Sequence, residues 1–397
     1  MAKVISSNPK LTLPIIIFAQ FAGTSLWFAG NAILPRISAE FAFPADSMAS
    51  ITSAVQLGFI IGTFLFALSG ISDRFSSSRV FLFCALAGAT MNAAILLWSA
   101  DYVFLLSSRF LTGFFLAGIY PVGMKIASEW YGKKLGMALG YLVGALVLGT
   151  AFPHFLSYSG GNVDWKWVIV ATSAIASFGG FLLYFLVGDG PLKVKSAKFK
   201  SKEILAVFSV KDFRKAAFGY FGHMWELYTF WAFVPILISL YAQQNQQDLS
   251  VSLWSFVVIA TGSLACMAGG SIALKIGSRK VAVLFLGTSA ICCLLSPIIL
   301  VLPVWAFIAY LLVWGFAVAG DSPQLSTLNA QTAPKELVGT ALTITVSLGF
   351  FITIISLQLT EWLYNSVSSS LFLLILAPGP IIGWYYARRI PKMKLDA

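Results

Sequence analysis

About a dozen apolar stretches, each long enough to cross a bilayer, follow one another almost end to end along the 397 residues. A hydrocarbon slab about 30 Å thick takes roughly 20 residues of helix per crossing. With 58% hydrophobic and 10% charged residues, the chain has too few charges to cover a water-facing surface of this size. The runs are continuous, whereas a membrane barrel alternates in segments of about ten residues. The chain therefore reads as an all-α membrane protein. Its chemistry must lie with the few polar groups left inside the spans.

Twelve spans are predicted, over 11–35, 48–70, 79–100, 102–127, 136–157 and 165–187, and then 215–241, 250–273, 280–301, 303–327, 337–360 and 369–387. The first run is too long for a cleavable signal peptide, and Pro35-Arg36 after it offers no small-residue cleavage site. The longest polar interval, 188–214, carries Lys193, Lys195, Lys198, Lys200, Lys202 and Lys211. It divides the chain into halves of six spans, 1–187 and 215–397, joined by a basic linker.

The halves echo each other at a nearly constant offset. Phe21-Ala22-Gly23 through Pro35 matches Phe221-Gly222-His223 through Pro235, shifted by 200. Gly113 through Gly118, followed by Pro121, matches Gly315 through Gly320, followed by Pro323, shifted by 202. The shared offset points to a duplicated six-helix unit.

The net charge of +11 is unevenly placed. With the N-terminus in the cytoplasm, Arg36 and Lys166 fall outside, and Arg109 and Lys125 fall in or at the end of a span. The remaining Lys and Arg are cytoplasmic, among them Arg74, Arg79, Lys133, Lys134, Arg279, Lys280, Arg388 and Arg389. This bias orients the chain with both termini in the cytoplasm, so no nucleic-acid partner is needed to explain it. The four cysteines, Cys84, Cys266, Cys292 and Cys293, lie in apolar spans without metal-site spacing, and read as small packing residues.

A third echo follows the second and eighth spans, where Ser69 through Arg79 lines up with Gly270 through Lys280. Here the sequence resembles the major facilitator superfamily, whose loop at this place reads roughly G-x-x-x-D-R-x-G-R-[KR]-[KR]. Asp73, Arg74 and Arg79 fit in the first half, with Ser69 and Ser76 replacing glycines. Gly270, Lys275, Gly277, Arg279 and Lys280 fit in the second, with Leu274 replacing the acid. Arg109-x-x-x-Gly113 resembles the family's fourth-span R-x-x-x-G. The resemblance implies twelve transmembrane helices in two pseudo-symmetric six-helix bundles. The function implied is secondary transport by alternating access. Asp73, Arg74, Arg79, Lys275, Arg279 and Lys280 read as a cytoplasmic gate, a charged cluster with two states that a moving solute biases; the plainer reading is loop solvation.

Ionisable groups inside spans cost several kcal/mol on insertion scales, so each is a functional candidate. Those expected here are Arg109, Lys125, His154, His223, Glu226 and Asp321. Glu226 stands near the membrane middle, three residues from His223 on one helical face, where the two can share a proton or a hydrogen bond. A neutral packing pair is the alternative, and an expensive one. Asp321, within Gly320-Asp321-Ser322-Pro323, sits where Gly and Pro loosen the helix; coupling or a cytoplasmic gate both suit it. Arg109 fits proton coupling by resemblance, or snorkels outward. Lys125 reads as snorkelling at the span edge. His154, beside Pro153, joins Gln20, Trp27, Asn31, Tyr120, Trp225, Tyr228, Gln324 and Gln358 as a candidate solute-binding set, with Gln56 and Trp231 as further possible lining.

The expectation is a proton-coupled secondary transporter of a small organic or amphiphilic solute. It would be a monomer in a bacterial inner membrane, with no cofactor and no metal. A proton-driven antiporter exporting drugs, siderophores or lipophilic compounds is the alternative. No Walker motif is present, so ATP is not the expected energy source. A non-transporting receptor stays open, and a membrane enzyme would want its acids and histidines clustered near one face.

Overall fold

A computed structural model describes residues 9–44, 47–98, 100–131, 135–161, 164–192, 204–367 and 370–391. Every regular element among them is helical. Ten helical stretches are long and apolar enough to cross a membrane, and the shorter Leu371–Ala387 follows them. With Ser77–Ala94 as the third, the expected twelve spans are present.

By contact the chain divides into two compact units, Met1–Ser196 and Ala197–Ala397. In the first, span 1 is Pro9–Thr24 with Ala29–Phe41, span 2 is Ser47–Ser69 and span 3 is Ser77–Ala94. Span 4 is Tyr102–Leu116 with Tyr120–Trp130, span 5 is Leu135–Ser159, and span 6 is Lys166–Leu182 with a wider last turn, Leu183–Val187. In the second unit, span 7 is Lys211–Gln244, span 8 is Val251–Ile276 and span 9 is Ser278–Leu295. Span 10 is Val304–Gly320 with Ser322–Thr332, span 11 is Val338–Ser366, and span 12 is Ser370–Leu376 with Pro378–Ala387.

Local chemistry explains several boundaries. Asp101 accepts from the backbone N–H of Phe104 at 3.0 Å and starts span 4; Ser250 does the same for Leu253 at 3.4 Å and starts span 8. After spans 2 and 8 the chain turns through Gly70 (φ 62°) and Gly277 (φ 89°), a backbone region that side chains disfavour.

The two units repeat one packing scheme. In the first, the strong helix pairs include spans 2 and 4, 3 and 6, 1 and 5, and 1 and 6; in the second they include 8 and 10, 9 and 12, 7 and 11, and 7 and 12. Lipid tails are as apolar as Leu, so such pairs depend on close approach rather than on expulsion of water. The repeated glycines provide it. A Cβ on Gly113 would strike the carbonyl of Val55, and one on Gly315 the carbonyl of Val258. Large apolar side chains such as Phe83, Leu284 and Trp362 remain exposed, as lipid-facing residues should.

Candidate functional site

In the interior of span 7 the side chains of His223 and Glu226 are each 1% exposed. Glu226 Oε1 accepts from Ser289 Oγ at 2.6 Å, Trp314 Nε1 at 2.6 Å and Cys293 Sγ at 3.2 Å. Ser289 and Cys293 belong to span 9 and Trp314 to span 10, so one carboxyl oxygen gathers three spans. Its partners are all neutral. His223 turns elsewhere: its Nδ1 lies 2.8 Å from Asp321 Oδ1. The expected His223–Glu226 sharing is thus replaced by two separate pairings. The cause is span 10, which stops at Gly320 and resumes at Ser322. That break sets the Asp321 carboxyl against His223, while donors from spans 9 and 10 occupy Glu226. The Gly320–Pro323 expectation of a loosened helix matches this break.

The first unit carries the opposite charge at its centre. Arg109 of span 4 is fully buried and does not snorkel. Its Nη1 donates to Asn92 Oδ1 at 2.7 Å, and its Nη2 to the carbonyls of Leu26 at 2.6 Å and Trp27 at 2.8 Å. Those carbonyls lie in the gap Ser25–Phe28 between the two helices of span 1. A broken helix frees carbonyls that must find donors in a dry interior. The guanidinium fork supplies them.

The two centres occupy matching positions of the repeat. Glu226 is the mate of Leu26 at the 200 offset, and Cys293 is the mate of Asn92 at the 201 offset of the third echo. Trp314 is the mate of Thr112 at the 202 offset, one turn beyond Arg109. In each unit, groups on the third and fourth spans converge on the middle of the first. One unit holds a cation against an opened backbone, and the other a carboxyl against neutral donors.

The remaining candidates divide. Gln20, buried at the middle of span 1, abuts Gly123 of span 4, and among the described residues both its amide atoms lack hydrogen-bond partners. Asn31 donates to Thr52 Oγ1 at 2.6 Å and to Met48 Sδ at 3.2 Å. Trp27 packs on Phe59 at 5.0 Å. Among the described residues Gln56 is buried with both amide atoms unpartnered, and His154 Nε2 in span 5 is likewise unpartnered. Tyr120 is half-buried at the restart of span 4. In the second unit Tyr228 sits 5.1 Å from Trp231 and from Phe350, and Gln324 is buried. Trp225 is committed to packing, its Nε1 donating to the Ile375 carbonyl of span 12 at 2.7 Å. Gln358 is exposed rather than enclosed.

Among the gate residues, Arg74, Arg79, Lys275 and Lys280 are exposed, and the Asp73 side chain lies outside the described residues. Arg279 has a definite task, donating through Nη1 to the carbonyls of Arg388 at 3.1 Å and Ile390 at 2.9 Å. It closes the end of span 12, where cations are favoured.

Five groups escaped the sequence reading. Asn92, Ser289 and Trp314 are neutral and carry no insertion penalty, so the search for costly groups passed over them. Glu129 is ionisable and 2% exposed. It accepts from Ser77 Oγ at 2.8 Å and from the backbone of Gly190 at 3.2 Å. Asp189 accepts from Ser78 N, Ser78 Oγ and Ser76 Oγ, each at 2.9 Å. Two carboxylates thus cap the start of span 3 and tie it to spans 4 and 6. All four cysteines are free and buried; Cys293 and Cys266 also act as donors, the latter to the Ala319 carbonyl at 3.2 Å.

Residues 16–357 match the Major Facilitator Superfamily. The chain belongs to that family. Among solved structures it is similar to the human organic anion transporter MFSD10 (TETRAN), with TM-score 0.72 and 16% identity, covering 96% of this chain and 100% of that one. It is also similar to the E. coli fucose:proton symporter FucP, with TM-score 0.68 and 13% identity over 97% and 100%. At such identities the likeness is one of fold. No curated protein sequence matches it significantly. As a member of the Major Facilitator Superfamily, the protein is a multi-pass secondary transporter of a small molecule, resident in a lipid bilayer.

Proposed function

We propose that the protein is a proton-coupled transporter of a small organic or amphiphilic solute, with Glu226 as the group that takes up and releases the proton. The observation that carries this reading is the neutral donor cage around a buried carboxyl. Ser289, Trp314 and Cys293 hold Glu226 in place without fixing its charge, because none of them is a cation. A carboxyl tied to Lys or Arg could not change protonation at low cost; this one can. His223 and Asp321 form a second exchange pair at the break of span 10. Arg109 has a supporting part in the first unit, keeping span 1 open at Leu26 and Trp27. Solute contact is assigned to Gln20, Trp27, Asn31, Tyr120, His154, Tyr228 and Gln324. A proton symporter and an organic anion transporter stand among the structural neighbours, which agrees with both parts of the reading.

The cellular setting proposed is a bacterial inner membrane, with the protein as a monomer and both termini in the cytoplasm. Residues 188–214 would link the six-helix halves 1–187 and 215–397. The test is flux in proteoliposomes under imposed proton or sodium gradients, using a solute that raises the thermal midpoint of the purified protein. A proton gradient should drive transport by the native chain and fail to drive it in Glu226→Gln. The sign of the driving gradient separates symport from antiport, including export of lipophilic compounds. Undiminished proton-driven flux in the variant removes Glu226 from the mechanism, and sodium-driven flux replaces the proton.

A further inference from the structure

Phe218 of span 7 stacks on Tyr386 of span 12, ring centroids 4.9 Å apart and planes at 22°. Around that pair Phe218, Ile381, Ile382, Tyr385 and Tyr386 line an open groove of about 450 Å³. This lies within the range of small-molecule sites, about 300–1,000 Å³. Phe218, Ile381, Ile382 and Tyr385 are 36–46% exposed. On membrane-spanning helices such a surface faces lipid tails.

The groove ends in fixed positive charge. The Arg388 guanidinium lies 4.2 Å from the ring centroid of Trp384, and that of Arg389 lies 3.8 Å from Tyr385. Arg279 anchors the carbonyls of Arg388 and Ile390, holding the backbone that carries both arginines. Arg214, one turn before Phe218 on the same face of span 7, is exposed at the same end. Among the described residues neither Arg388 nor Arg389 pairs with a carboxylate. A guanidinium over an aromatic face and without a carboxylate partner has N–H donors to offer, and these match the oxygens of a phosphate.

A purely apolar groove would accept any lipid tail; two arginines held over rings at its mouth select the headgroup. We propose that this groove binds an anionic phospholipid, with one acyl chain along Phe218, Ile381, Ile382 and the two tyrosines and its phosphate on Arg388 and Arg389. Each basic residue near an anionic headgroup contributes enough to change retention by about fivefold.

The test is native mass spectrometry of the full-length protein released from vesicles of equal parts phosphatidylglycerol and phosphatidylcholine. The native chain should retain phosphatidylglycerol preferentially. Arg388→Gln with Arg389→Gln should lose that preference, by about fivefold for each arginine removed. Arg388→Lys with Arg389→Lys, which keeps the charge, should retain most of it. Ile382→Trp, which fills the groove and leaves every charge in place, should lower retention of both lipids. Excess glycerol phosphate should displace neither. Equal retention of the two lipids by the native chain overturns the proposal, as does a double Gln variant that still prefers phosphatidylglycerol. Displacement by glycerol phosphate would make the site one for free phosphate. If the double Gln variant fails to insert, Ile382→Trp decides, and unchanged phosphatidylglycerol retention there sinks the idea.

Discussion

The residue that organises the second unit is Glu226, and its neighbours tell what it needs. Three donors on one oxygen make it a hub for spans 7, 9 and 10. Hydrogen bonds between membrane helices contribute about 0.6–2 kcal/mol each. Ser289→Ala and Trp314→Phe should each lower unfolding stability by about that amount, read from the denaturant midpoint in micelles. Arg109 should be less forgiving. Arg109→Met leaves Asn92 and the Leu26 and Trp27 carbonyls without their donor, at about 1–3 kcal/mol for each acceptor left dry. Arg109→Lys should recover only part of the loss, because one ammonium cannot copy the planar fork. At this scale the sequence revealed the costly ionisable groups, His223, Glu226, Asp321 and Arg109, by their rarity among apolar residues. It concealed their pairing. Helical spacing put His223 beside Glu226, whereas partners brought from other spans decided which atoms meet.

Elements were legible to the extent that local chemistry made them. The break in span 10 is written in Gly320 and Pro323. The break in span 1 is not: Ser25-Leu26-Trp27-Phe28 holds neither Gly nor Pro, and Pro14 and Pro35 sit inside intact helices. Span 7 likewise runs unbroken through Pro235. What accompanies the opening of span 1 is a distant guanidinium on span 4, a tertiary contact that local propensity does not announce. The duplicated glycines were visible as a pattern, and the packing supplies their meaning. Gly113→Ala and Gly315→Ala each push a Cβ into a carbonyl of the neighbouring span, so each should cost about 1–3 kcal/mol in thermal or denaturant unfolding. Gly287→Ala is the control, since its nearest neighbour is the Trp384 ring at an ordinary 3.4 Å. Its stability should stay close to native.

For the whole molecule, twelve spans and an internal duplication could be read from hydrophobic runs and a constant offset, because a bilayer imposes span length more strictly than water imposes anything. The distribution of Lys and Arg then predicts an orientation. Asp248→Cys, in the exposed turn after span 7, should react with a membrane-impermeant maleimide on intact cells. Lys335→Cys, exposed before span 11, should react only after permeabilisation. The native cysteines are buried and should contribute little background. The reverse labelling pattern would invert the topology.

The central claim is that Glu226 exchanges the coupled proton, and proton exchange on solute binding measures it most directly. Purified native protein, in weakly buffered detergent with a pH dye, should take up or release protons when a solute found by thermal shift is added. Glu226→Gln should bind the same solute and leave the pH unmoved. Equal proton exchange in native protein and variant would contradict the account.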